Sequence, residues 1–423
     1  MGAAKFVIEG AIEESLGELS GFSREIWKFS NDLLSLVEIS NMIMSYVENE
    51  HQTTRQKTIK ILQDLSLKTE ILDEKKLTRY SIPIEKLEHI SKYIQITNDT
   101  NTALEMLPGT LLMLLVSRMD ELIGNLLRVI FEVQPNLLKS RAEGLQITPE
   151  QLLTEALDLD ELKNRMVEKE IDRVVRESHT YHFKYIEELL NIKLRVELDV
   201  WPIYIEATER RNLFAHVGGR VSRQYLNVCS QNGIDVGSTI KVGDTLKING
   251  EYFGKVIEAF IEIGTKLGLV VWRNLIPDDS EKSHASYSEL CYLLIKKSYY
   301  PFAAKMLEFA FTPKMQQDVT EYNKLKYVIN SAQACKWMGD MAECERILAL
   351  HDWSAAGVVF NLAIHVLRDE FEEAAKLMAP IKDLGSPPSY AYREWPLFQK
   401  FRETDVFKAT YANLYGRGFE VSI

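Results

Sequence analysis

The stretch TERRNLFAHVGGRVSRQYL, residues 208–226, decides how this chain is read. It sets Arg210, Arg211, Asn212 and His216 just ahead of the glycine pair Gly218–Gly219. The words leading into it, VELDVWPIYIEATERRNLFAHVGG, read as a helix that ends at His216 or Val217. Gly218 is the expected C-cap, because glycine takes up the left-handed backbone that closes a helix at little cost. Cations in a last turn complement the negative end of the helix dipole, and that alone accounts for Arg211 and His216 as a charged helix end. The other reading is a site that handles an anion. Arg211 and His216 are about 140° apart around the axis at ~100° per residue, so they do not stack as an i, i+4 pair. A long arginine side chain still reaches the cleft of a histidine at a frayed, glycine-closed end. A guanidinium grips phosphate through two parallel hydrogen bonds, and an imidazole exchanges a proton near neutral pH. Together they suffice for transesterification at an RNA phosphodiester, one group moving the proton and the other stabilising the charged phosphorane, with no metal required. Arg210 stands four residues after Glu206, the orientation of a surface ion pair.

Outward from that stretch the chain reads as helices. TLLMLLVSRMDELIGNLLRVIFEV, residues 110–133, is a nearly buried helix whose few polar positions include Asp120 and Glu121. ITPEQLLTEA opens another, with Thr148 as cap and Pro149 in its first position. DLDELKNRMVEKEIDRVVRE and HTYHFKYIEELLNI continue the pattern. His179 and His182, three apart, have the spacing of a metal pair. With no third ligand beside them they are read as a polar helix patch, and no metal site is expected. STIKVGDTLKINGEYFGKV alternates apolar and polar residues between two turn signals, which predicts a short strand or small β-hairpin insert; Lys241 and Lys247 are read as its solvated face. Residues 1–108 read as helical, with TRYSIPIEKL breaking a helix at Pro83, and the polar TNDTNTALEMLPGT marks a domain boundary at Pro108-Gly109.

DDSEKSHAS, residues 278–286, reads as a linker. After it three words, YYPFAAKMLEFAF, GDMAECERILALHD and DEFEEAAKLMAPI, share a register set by Ala303, Cys344 and Ala374, which lie 41 and 30 residues apart. Each follows another helical word. Three helical hairpins near the ~34-residue period of tetratricopeptide-like repeats are expected, with a plain helical bundle as the alternative. Trp337, Trp353 and Phe360 are read as core aromatics. The resulting organisation is all-α: an N-terminal helical region over 1–108, a central bundle over 109–278 and a helical repeat domain over 279–423.

The 423 residues are 46% hydrophobic and 26% charged, the balance of a globular chain, and the formal net charge of −11 argues against a nucleic-acid coat held by bulk charge. It leaves room for a local basic site. Four cysteines without a CxxC pair give no disulfide or zinc-finger framework. MGAAKFVIEGAIEE lacks a signal-peptide core and the myristoylation pattern, and the longest apolar run, LLMLLV, is too short for a bilayer span, so a cytoplasmic location and no membrane contact are expected. No P-loop, GxGxxG, HExxH or nucleophile elbow is present, and no cofactor is expected.

RRNLFAH has the form Arg-polar-x3-His and resembles the signature of HEPN domains. The likeness extends over about residues 109–277, through Gly219, Tyr225, the VGD turn and the EYF helix start of IKVGDTLKINGEYFGKVIEAFIEIGTKLG, and is similar to a bacterial subgroup with defence and toxin roles. The resemblance implies a four- to five-helix bundle that dimerises, with paired motifs forming one cleft that cuts RNA without metal and leaves a 2′,3′-cyclic phosphate and a 5′-hydroxyl. Carried over residue by residue, Arg211 binds phosphate, Asn212 orients, and His216 is the acid or base. Arg210 and Arg220 are candidate substrate contacts, and Glu206, Asp120 and Glu121 are candidate orienting groups. Val217 departs from the pattern, where many relatives carry a polar residue. The implied biology is a toxin-like effector against phage, acting on an RNA substrate as a homodimer, with a protein partner or phage-derived activator engaging the repeat or N-terminal region. The alternatives are a non-catalytic scaffold or regulatory binding protein whose repeats hold a peptide, and a module silenced by a partner nucleotidyltransferase.

Overall fold

Two long helices, α1 (Gly21–Leu65) and α2 (Leu87–Val133), frame the first half of the protein. The computed structural model describes residues 21–72, 77–139, 159–196, 198–237, 239–384, 391–416 and 418–419. Among them the chain is mostly helical, with one two-stranded sheet, and divides into two compact units, up to Val271 and from Trp272 onward.

In the first unit α1 buries Phe22, Ile26, Phe29, Leu33 and Leu36, a stripe at three- and four-residue spacing. The stripe packs on helix α7 (Gly250–Leu275), where a Cβ added at Gly264 would sit 2.3 Å from the Phe29 ring and one at Gly268 2.5 Å from Ile26. Residues before 108 therefore share the core of the central bundle. The boundary expected at Pro108-Gly109 falls inside α2, which runs on through both residues. Gly109 is there for a close approach: a Cβ on it would lie 2.6 Å from a ring carbon of Phe214 in the motif helix.

Beyond Leu36 the apolar stripe of α1 reaches the surface at Ile39, Met42, Ile43 and Tyr46, and the helix runs on beside α2. Polar contacts hold that pair together: Thr58 and Thr97 hydroxyls at 2.8 Å and His51 Nδ1 with Thr100 Oγ1 at 3.1 Å. The all-α class holds, but the reading of residues 1–108 as helical throughout is corrected here. Strands β1 (Lys68–Leu72) and β2 (Leu77–Ser81) pair antiparallel in the register Lys68↔Ser81 through Leu72↔Leu77, and Pro83 then caps the turn into α2. The hairpin reading of residues 238–256 is corrected too. Its two turn signals stand too close for two strands, and helix has begun at Gly250. The segment pairs instead with the chain leaving the motif helix, through one bridge between Arg220 and Thr245, with Leu246 donating to Gly219 at 2.9 Å and Val221 to Asp244 at 2.8 Å.

Among the described residues the first unit also holds a one-turn helix (Asn136–Lys139), α3 (Leu159–Val175), α4 (His179–Leu190) and the motif helix α5 (Trp201–Val217), followed by short α6 (Arg223–Gln231). ITPEQLLTEA and its Thr148 cap lie outside the described residues. By length and composition one helix among the described residues, Ile84–Val133, could cross a membrane, which the longest apolar run alone does not predict. Its apolar positions from Leu111 to Phe131 are largely buried in the protein.

In the second unit the expected linker is absent. A 3₁₀ turn (Pro277–Asp279) leads straight into α8 (Ser280–Lys296), where Ser283 and His284 are fully buried. Three helical hairpins follow: α8 with α9 (Tyr300–Ala310), α10 (Glu321–Trp337) with α11 (Met341–Ala349), and α12 (Val358–Leu367) with α13 (Phe371–Lys376). Each turns on one residue of positive φ, at Ser298, Gly339 and Asp369. The next amide bonds back five residues, Tyr299 to Leu294, Asp340 to Cys335 and Glu370 to His365, at 2.8–3.0 Å, which is a Schellman closure repeated three times. Five residues after each turn stand Ala303, Cys344 and Ala374, all without solvent exposure. Trp353 and Phe360 pack against the second unit's core, and Trp337 is half-buried. All four cysteines are buried and free.

Candidate functional site

Helix α5 begins with Pro202 in its first turn and ends at Val217, with Gly218 in the left-handed region at φ 62°. Gly219 is also left-handed, at φ 79°, and a Cβ there would press on Phe214 at 3.0 Å and on the Leu246 carbonyl at 3.2 Å. The glycine pair thus lets the chain double back tightly beneath the motif.

Arg210 and Arg211 are adjacent in sequence and point to different neighbours. Arg210 donates through Nε to Glu206 at 2.7 Å and through Nη1 to the Lys247 carbonyl at 3.0 Å, and its guanidinium lies 4.0 Å from the centroid of the Tyr252 ring. Glu206 also accepts from the Tyr225 hydroxyl at 2.5 Å and the Tyr252 hydroxyl at 2.7 Å. Burial, and then the Glu206 charge, hold both phenols protonated well above their usual range. The ion pair read from the spacing is present, and it is buried rather than on the surface. Arg210 is placed as a structural cation, not as a substrate contact, and Glu206 does not orient Arg211.

Arg211 reaches toward α2, where its Nη2 lies 3.7 Å from Asp120 Oδ2. Its Nε is buried without a hydrogen-bond partner. The other Asp120 oxygen stands 3.0 Å from Nε2 of His179 on α4. The His179 and His182 rings are 5.1 Å apart, and Tyr204 packs edge-on to His179 at 5.9 Å. His182 is fully buried with neither ring nitrogen in a hydrogen bond, and the Tyr204 hydroxyl is likewise buried and unpaired. Burial and the neighbouring His179 drive the His182 pKa down to about 4; Asp120 and the carbonyls of Val175 and Glu177 oppose this only weakly. Burial also raises the Glu209 carboxyl, with His179, a hydrogen bond to Asn212 and Arg211 pulling it back.

The sequence therefore named Asp120 and Arg211 rightly as neighbours, and it misread the two histidines. They lie on one helix as read, but α4 buries both, and Asp120 arrives from 59 residues away as the third group that the sequence did not place beside them. Together the ligand-bearing atoms of Asp120, His179 and His182 lie within 4.8 Å of one another. Sequence reasoning missed Glu209 and Tyr204; Glu209 had a signal, three residues ahead of Asn212 on one helix face. Glu121 is placed elsewhere. It accepts from Lys28 at 2.6 Å and from Arg118 at 2.7 Å in a charged groove between α1 and α2, and the Lys28 hydrogen bond holds its carboxyl below the usual range. His216 is exposed at the end of α5, beside Val217 and Arg220. Arg223, Lys241 and Lys247 are exposed in the segments that double back under it.

The site so built can bind a phosphate at Arg211, exchange a proton at His216, and shelter a polar cluster behind the arginine. No family model, no curated protein and no solved structure matches this chain.

Proposed function

We propose that the chain is an endoribonuclease of the HEPN type that cleaves RNA by metal-independent transesterification at Arg211 and His216. One observation carries the reading. The Arg211 side chain is 26% exposed and its Nη2 stands 3.7 Å from Asp120, too far for a hydrogen bond, and His216 stands exposed about 7.5 Å further along the same helix axis, at the glycine-closed end. An arginine whose hydrogen bonds are all made inside the fold cannot take a phosphate; this one keeps donors in hand.

In the reaction the 2′-oxygen attacks the adjacent phosphorus and the bond to the 5′-oxygen breaks. The 2′-hydroxyl proton leaves to a base, and the departing 5′-oxygen takes one from an acid. The products are a 2′,3′-cyclic phosphate and a 5′-hydroxyl. His216 serves one of these proton transfers, and the matching histidine of a second copy serves the other, which is why a homodimer belongs to the proposal. Arg211 binds the phosphoryl oxygens as their charge grows, and Asn212 orients. Arg220, Arg223, Lys241 and Lys247 offer exposed cations for the flanking phosphates. The three closed helical hairpins support a tetratricopeptide-like role for the second unit, holding a protein partner or activator. On this reading the protein is a toxin-like effector against phage.

A second reading, a non-catalytic scaffold of the same bundle, is favoured by the separation of Arg211 and His216 to different sides of α5. The test is cleavage of total bacterial RNA by wild-type protein and by His216→Ala in chelator, with the new ends assayed for 2′,3′-cyclic phosphate. The proposal expects cyclic ends from the wild type and a 10²- to 10⁴-fold loss, roughly, in the variant. Equal cleavage by both proteins, or none by a verified wild-type dimer, overturns it.

A further inference from the structure

We propose that Asp120, His179 and His182 form a binding site for one divalent transition-metal ion of the zinc class, with Arg211 holding the far oxygen of Asp120. The inference goes beyond the cleavage reading and does not rest on it.

The first argument is ligand chemistry. Two imidazoles and one carboxylate suit zinc and its neighbours, whereas magnesium and calcium ask for oxygen alone. The second is placement. His179 and His182 are i and i+3 on α4, so they share a helix face, and Asp120 meets them from α2 with Oδ1 at 3.0 Å from His179 Nε2. All three donor atoms lie within 4.8 Å of one another. A tetrahedral ion with bonds of about 2.1 Å needs its ligands roughly 3.4 Å apart, which small side-chain rotations supply.

The third argument is the independent one. His182 has no solvent exposure, and neither ring nitrogen has a partner at full hydrogen-bond distance, the carbonyls of Val175 and Glu177 being the backbone groups that act on it. A buried polar group left unpaired costs about 1–3 kcal/mol, so native proteins rarely keep one without use. The titratable groups that act on His182 are the His179 imidazole and the Asp120 carboxylate, and a cation bound among the three gives the buried ring a partner. The fourth argument is the outer contact. Asp120 Oδ2 faces Arg211 Nη2 at 3.7 Å, the kind of second partner that fixes a ligating carboxylate. With Oδ1 on the ion and Oδ2 on the arginine, Asp120 ties metal occupancy to the orientation of Arg211. Three protein ligands leave a further coordination position open, and the part-exposed Asp120 marks the side from which solvent reaches it.

The experiment uses the full chain, stripped by chelator dialysis and returned to metal-free buffer. Zinc is titrated by calorimetry and cobalt by visible absorption. One ion per chain is expected, with micromolar affinity or tighter. The cobalt spectrum should lack the near-ultraviolet thiolate band, because the ligands are nitrogen and oxygen. His182→Gln and Asp120→Asn should each weaken binding by at least roughly 10-fold; His179→Asn does the same if the buried variant fails to fold. Absence of saturable zinc uptake by folded wild-type protein overturns the proposal. So does uptake unchanged in folded Asp120→Asn and His179→Asn, which would place the ion on surface side chains. Neither readout involves RNA, so a failure of the nuclease reading leaves this result standing, and the reverse holds as well.

Discussion

Two neighbouring arginines on one helix end up in opposite conditions. Arg210 makes every contact its surroundings offer: a carboxylate, a carbonyl and an aromatic face. Its side chain is 13% exposed, and it knits α5 to α6 and α7 through Glu206, Tyr225 and Tyr252. Arg211 is 26% exposed, sits 3.7 Å from its one ion-pair partner among the described residues and keeps a buried Nε unpaired. A saturated cation stabilises the fold and has nothing left for a ligand. An unsaturated one costs stability and is retained for something else. The same contrast separates two buried histidines. His284 in the second unit is bonded to the Tyr327 hydroxyl at 3.0 Å and to Arg273 at 2.8 Å, whereas neither ring nitrogen of His182 has a partner at hydrogen-bond distance among the described residues.

Exchanging each arginine for methionine tests the contrast directly. Arg211→Met should lower RNA cleavage by roughly 10²- to 10³-fold, the usual loss on removing one donor to a developing oxyanion, while denaturation shows a stability change within about 1 kcal/mol. Arg210→Met should do the opposite. It strands the buried Glu206 carboxylate and should cost about 3–5 kcal/mol by urea unfolding, with the residual folded fraction still cleaving. If both variants lose stability equally, the distinction between the two arginines is wrong. Tyr252→Phe removes one hydroxyl from Glu206 and leaves the ring under Arg210; a loss of about 1.5–3 kcal/mol is expected for a hydrogen bond to a charged group. Gly109→Ala pushes a methyl into the Phe214 ring. The clash should outweigh the helix-propensity gain and cost about 1–2 kcal/mol, with cleavage falling further than stability because Phe214 lies between Arg211 and His216 in the motif helix.

The smallest effect is expected from pH. Burial first, then the Arg273 charge, lower the pKa of His284 against the opposing pull of Asp318. A histidine whose folded pKa is depressed stays neutral in the fold while the unfolded chain takes up a proton. Its contribution is therefore complete above the ordinary value near 6.5 and is lost as pH falls below that value. Melting temperature should drop from pH 7 to pH 5 in the wild type and drop less in His284→Gln. An equal fall in both proteins would show that His284 is not the group responsible.

Much of this was legible in the residues because it is local. The end of α5 and its Gly218 cap, the ion pair of Glu206 with Arg210, and the register of Ala303, Cys344 and Ala374 all depend on groups within about five residues of one another. Positions of the strands were misjudged because alternation and turn residues at 239–249 looked like a self-paired hairpin. The segment found its partner in the chain after the motif helix instead. The boundary at Pro108-Gly109 was misjudged for a similar reason. A proline and a glycine in a row read as a break, yet the glycine serves Phe214, more than a hundred residues away.

The residues alone thus determined the helical class, the closed end of the motif helix and the hairpin turns, since capping and backbone preference act over one or two turns of chain. Tertiary structure decided which of two adjacent arginines is spent on the fold, and which carboxylate meets His179 and His182. Side chains one residue apart on a helix diverge by about 100°, and their partners are chosen by the packing of helices far apart in sequence.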